Sequence, residues 1–177
     1  MTKLHNAKYR FGFTGTLDGS KTHKWVLEGL FGECERVTKT DDLIKEGYLS
    51  KFRIKVLLCK HAPQHFESYH DEMEYLVEHK GRNNLIKNLV NDLDGNTLVL
   101  FNYVEKHGTP LYELINNNVE SSRKVFFVHG GTDVEDREEV RNLTETESNA
   151  IIVASYGTFS TGINIKRLHN IIFASPS

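Results

Sequence analysis

The sequence predicts an α/β fold built on a mostly parallel, doubly wound sheet. Three observations carry that prediction. Four short apolar runs, at 97–101, 124–128, 151–154 and 171–174, show no regular polar alternation. Segments with helical periodicity separate them. The first three runs end in polar or glycine-containing loops, as strands buried on both faces of a parallel sheet do.

The elements follow in chain order. Residues 9–14 alternate aromatic with small or polar side chains and stop at Gly15-Thr16-Leu17-Asp18-Gly19, which predicts a short strand entering a tight loop. Trp25, Leu27, Leu30 and Phe31 predict a short helix over 21–31. Residues 33–38 read as a strand, and Thr40-Asp41-Asp42 can cap a helical turn running to Glu46. Residues 52–60 are β-branched and apolar and read as another strand.

Phe66, Tyr69, Met73, Tyr75, Leu76 and Val77 predict an amphipathic helix within 64–79. Leu85, Ile86, Leu89, Val90 and Leu93 predict a second helix over 83–93, broken by Asp94-Gly95-Asn96. The run at 97–101 leads into a helix over 104–115 that Pro110 should disturb. A charged helix over 134–143, opened by Thr132-Asp133, joins the second run to the third.

Composition bounds the function. The chain has 177 residues, 38% hydrophobic and 26% charged, which is ordinary for a globular protein. Its longest apolar run, 150–154, is far too short for a membrane span, and its first residues have no apolar signal region. Two cysteines make neither a disulfide framework nor a zinc ribbon. The net charge of −2 hides a split, +5 over residues 1–60 and −7 over 61–177. Bulk charge therefore does not mark a strongly basic nucleic-acid protein.

In an open parallel sheet, ligands bind outside the carboxyl ends of the strands. That edge should carry three loops, Phe101-Asn102-Tyr103, Val128-His129-Gly130-Gly131-Thr132 and Ala154-Ser155-Tyr156-Gly157-Thr158. Glycines there admit close backbone approach, and the N–H groups of following helices favour anions. Ordinary strand-to-helix turns need the same residues.

Sharper motifs fail. Gly15 to Thr22 lacks the Gly-Lys-Ser/Thr adjacency of a P-loop, because Ser20 separates Gly19 from Lys21. Residues 157–162 are no nucleophile elbow, which would need glycine at 158. His61, His65, His70 and Asp71 do not stack on one helix face, so no metal site is expected. The acidic run Asp133, Glu135, Asp136, Glu138 and Glu139 reads as a solvated helix face. No catalytic acid–base pair or nucleophile assembles by spacing.

The segment Val153 to Ile165 (Val-Ala-Ser-Tyr-Gly-Thr-Phe-Ser-Thr-Gly-Ile-Asn-Ile) resembles motif V of superfamily 2 helicases. The run at 97–101 resembles motif IV, and Phe13-Thr14-Gly15-Thr16-Leu17 resembles motif III. Phe127-Val128-His129-Gly130-Gly131 with Arg137 resembles the segment between motifs IV and V. With the Leu168-His169-Asn170 tail, the likeness extends over nearly the whole chain, and in particular to recombination helicases of T4-type phages.

The resemblance implies a RecA-like, P-loop NTPase-type second helicase lobe preceded by a remnant of the first. Residues 1–50 would end the first lobe, 51–80 would connect, and 81–177 would form the second lobe, truncated after motif V. Thr14, Gly15 and Thr16 would couple nucleotide state to the nucleic-acid track. Asn102, His129, Gly130, Ser155, Tyr156 and Gly157 would lie near the sugar-phosphate backbone. Gly162 and Asn164 would approach the nucleotide cleft, with Asn164 where many relatives carry Asp.

The implied partners are single-stranded or branched DNA and the rest of the first lobe. The implied cofactors are ATP and Mg²⁺ in the full enzyme, in the cytoplasm of a phage host. The chain contains no Gly-Lys-Thr P-loop, no Asp-Glu-x-His box and no Gln-x-x-Gly-Arg-x-x-Arg motif. It is therefore expected to bind no nucleotide tightly and to be inactive alone. The alternative is a non-catalytic nucleic-acid- or phosphate-binding module derived from such a lobe.

Overall fold

Each of the four apolar runs forms a strand. β1 spans Thr97–Phe101, β2 Val125–Val128, β3 Ile151–Ser155 and β4 Asn170–Phe173. They pair in parallel in the order β2-β3-β1-β4. The computed structural model describes residues 7–14, 21–60, 62, 64–133, 135, 138, 140, 142, 145–159, 165 and 167–175.

The chain divides into two units, Met1–Leu57 and Leu58–Ser177. In the first, α1 (Lys21–Phe31) forms as the sequence predicts, and α2 (Thr40–Lys45) carries Asp41 and Asp42 in its first turn. There the acids complement the positive end of the helix dipole. Gly47, at φ +81°, ends α2. Tyr48 N–H reaches Leu43 O at 2.9 Å, the closing bond of a glycine-terminated helix.

The strands predicted at 9–14, 33–38 and 52–60 do not form; all three stretches are irregular. Phe13, Val37, Ile54 and Leu58 are left exposed. Alternation fits a side-chain pattern to a pleated surface, but a strand also needs a ladder partner. None is present for these stretches among the described residues.

In the second unit, α3 (Tyr69–Glu78) starts later than predicted, at the Ser68 cap, whose hydroxyl accepts from Asp71 N–H at 3.2 Å. α4 (Lys80–Asp92) starts earlier, because His79 Nδ1 accepts from Arg82 N–H at 3.1 Å and caps it. The predicted helix at 104–115 is two pieces, a π-helical turn Val104–Gly108 and then α5 (Thr109–Asn116). Pro110 sits in the first turn of α5, where its missing N–H costs nothing.

Side-chain alternation along the strands builds two cores. Val99, Phe101, Ile151, Val153 and Ile172 face α4 and α5, through Ile86, Val90, Leu111 and Ile115. Leu98, Leu100, Val128, Ile152 and Ala154 face Phe159 on the other side. β1 and β3 are buried throughout, as their unbroken apolar runs require. β4 departs from that reading. Ile171 and Phe173 are exposed, because β4 is an edge strand covered on one face.

Candidate functional site

The parallel register levels the strand ends. Phe101 lies beside Ser155, Val128 beside Ala154 and Leu100 beside Phe173. The three predicted loops therefore share the carboxyl edge of the sheet. After β1 the chain turns to the α5 face; after β3 it turns to the opposite face through the short helix Tyr156–Phe159. Adjacent strands whose connections diverge leave a crevice between their ends. Here the two diverging connections begin at Asn102 and Tyr156.

Ser175 knits this edge together. Asn102 N–H donates to its hydroxyl at 3.0 Å, and the Tyr156 hydroxyl donates to its carbonyl at 3.0 Å. Its hydroxyl also meets His107 Nδ1 at 2.8 Å. His107 is fully buried in the π turn, and its Nε2 lies 3.2 Å from Asn83 Oδ1. Asn83 Nδ2 in turn donates to Val77 O at 2.9 Å.

Donor and acceptor capacities give this chain one direction. Asn83 Oδ1 can only accept, so Nε2 carries the proton. Nδ1 then accepts from Ser175, whose oxygen accepts from Asn102. A neutral imidazole satisfies every bond. Burial, helped by the nearby Arg82 charge, pushes the His107 pKa down to about 4. The π turn holds this residue in place, since Gly108 N–H returns to Tyr103 O at 2.8 Å. Only glycine fits there, because a Cβ at 108 would stand 2.4 Å from the Phe101 ring.

The predicted contact residues fall into distinct settings. Asn102, Gly130 and Gly157 are exposed, and Gly130 and Gly157 have open space where a side chain would be. His129 is half-buried against the Phe127 ring, 5.1 Å between centroids. Its N–H donates to Thr132 Oγ1 at 3.0 Å, and its Nδ1 accepts from Gly131 N–H at 3.1 Å. Ser155 is only 9% exposed, and its hydroxyl is bonded to Thr158 Oγ1 at 2.7 Å. It shapes the turn from inside the loop. Burial raises the pKa of the Tyr156 phenol, so it stays a neutral donor.

Thr14 is exposed in an irregular stretch of the first unit. Gly15, Thr16, Arg137, Gly162 and Asn164 lie outside the described residues, as does His61 of the histidine group. Among the described residues, no cluster of three or more His, Cys, Asp or Glu could hold a metal ion. None of the described helices is long and apolar enough to cross a membrane. Sequence reasoning placed Thr158 in the third loop but missed Asn83, His107 and Ser175. Ser175 follows the fourth apolar run directly and could have been found as the fourth strand-end loop.

Comparison with known proteins decides the kinship. The chain is 33% identical over 180 residues to the ATP-dependent DNA helicase UvsW of Enterobacteria phage T4, an alignment covering 97% of this chain. The chain is homologous to one part of UvsW. It spans 35% of the length of that helicase. The crystal structure of T4 UvsW matches with a TM-score of 0.54 and 36% identity, over 63% of this chain and 22% of that one. No family model matches the chain. The parallel unit thus has the fold of a RecA-like lobe, as its motif resemblance implied.

Proposed function

We propose that this chain supplies part of an ATP-dependent superfamily 2 DNA helicase or translocase that remodels branched DNA in recombination and repair. Its role is to contact the sugar-phosphate backbone along the carboxyl edge of the sheet and to form one side of the ATP cleft. The whole enzyme would work by alternating closure of two lobes around ATP. One observation carries the reading: in a chain homologous to UvsW, the loops after β1, β2 and β3 open side by side on the edge where such sheets bind ligands.

Exposed backbone and small polar groups at 102, 130 and 157 suit phosphate and sugar contacts that carry no sequence information. They also need little positive charge, in keeping with the acidic balance of residues 61–177. Single-stranded oligonucleotides of unrelated sequence, titrated by fluorescence anisotropy at several salt concentrations, test this. The chain should bind them with similar affinity, weakening as salt rises. Absence of binding at low salt, or strong preference for one sequence, would overturn it.

ATP and Mg²⁺ belong to the complete enzyme on this reading. The chain has no P-loop lysine, acidic box or arginine finger in its sequence. A DNA-stimulated ATPase assay on the purified chain should therefore show no turnover that scales with its concentration.

A further inference from the structure

Among the described residues, two partly buried arginines sit at opposite ends of the sheet, and one of them keeps a buried nitrogen without a hydrogen-bond partner. Arg123, at the amino edge, donates to Val90 O at 2.6 Å, Asn149 O at 3.0 Å and Gly95 O at 3.2 Å. It is spent on structure. Arg82, in the first turn of α4, stands at the carboxyl edge, where its neighbour Asn83 bonds His107. Its Nη1 is shut off from solvent and has no hydrogen-bond partner. No carboxylate among the described residues forms an ion pair with it. The groups whose charges bear on Arg82 are Cys59 and Tyr156, both ordinarily neutral. Its own charge reaches His107 and Tyr156.

An unmatched guanidinium is costly to hold, because burial disfavours a charge that has no counter-charge. Arg82 lies beside the one edge of this lobe built from open polar loops. A phosphodiester supplies the negative charge it lacks, and Arg82 is only half-buried, so a phosphate oxygen can approach the part of the side chain that stays open. We infer that Arg82 is a backbone-phosphate contact of the nucleic-acid track, reaching the strand next to Tyr156. The inference rests on the nucleic-acid reading above and adds to it a cation at the carboxyl edge. It also gives the buried neutral His107 a purpose. A protonated imidazole there would compete for the same anion and repel Arg82.

The test compares wild type with R82Q and R82K by oligonucleotide anisotropy across salt, with urea unfolding as the check on folding. R82Q should bind about tenfold more weakly at low salt. Its logarithmic salt slope should fall by about 0.7, the share of one neutralised phosphate on a single strand. R82K should keep the slope.

A folded R82Q with unchanged affinity and slope would overturn the Arg82 assignment and leave the nucleic-acid reading standing. Failure of the wild type to bind would overturn both. Phenylglyoxal modification of the wild type, mapped by mass spectrometry, decides the matter independently of any variant. Single-stranded DNA should protect Arg82 and leave Arg123 unchanged. No protection, or protection by ATP in place of DNA, would overturn the assignment.

Discussion

His107 shows how one side chain ties stability to pH. In the folded chain its pKa lies at about 4, against an ordinary value of 6.5. Between those values the unfolded chain binds a proton that the folded chain refuses. Stability is therefore complete above pH ~6.5 and is lost as pH falls toward ~4. The loss is on the order of 2–3 kcal/mol. Urea unfolding at pH 7.5 and 4.5 should show that drop in wild type and a smaller one in H107Q, which has no proton to gain. An equal drop in both would place the titrating group elsewhere. The sequence offers no sign of this residue's burial. His107 lies six positions past a strand among polar neighbours, and only the π turn rotates it inward.

At the scale of elements, the amino edge of the sheet is fastened by Asn96. Its Nδ2 donates to Glu147 O and Arg167 O, each at 2.9 Å, and its Oδ1 accepts from Ala150 N–H at 2.8 Å. These bonds join the entries of β1, β3 and β4. N96A should destabilise the chain by about 3 kcal/mol, since it removes three hydrogen bonds at once and strands the buried Ala150 N–H. The midpoint of a urea titration, with unchanged slope, measures it; a loss below about 0.5 kcal/mol would mean water replaces the amide freely.

The four strands of the parallel unit were legible, because a short unbroken apolar run between helices has few other uses. Exposure within them was not. Ile171 and Phe173 read as core in sequence, yet they lie on the open face of an edge strand, and edge position is a property of topology. The strand readings at 9–14, 33–38 and 52–60 failed for a related reason. Periodicity records how side chains would face, whereas pairing depends on residues far away in the chain. Arg82 was equally hidden. Nothing in Lys80-Gly81-Arg82-Asn83 distinguishes it from a solvated helix start.

At the scale of the whole molecule, function rests on direction. All four strands point the same way, so one edge collects the polar loops and the other collects structural bonds from Asn96 and Arg123. Kinship with UvsW was legible in the order and spacing of motifs III, IV and V, although each motif alone is short. The loops at 102, 129–130 and 155–157 emerged together because the strands preceding them were read correctly.

Amide hydrogen exchange with and without single-stranded DNA tests the central claim most directly. Protection should rise at residues 102–103, 129–132 and 155–158, and stay unchanged at 94–97, 122–124 and 147–150. Protection confined to the second set, or to neither, would contradict the assignment of the nucleic-acid track to the carboxyl edge of the sheet.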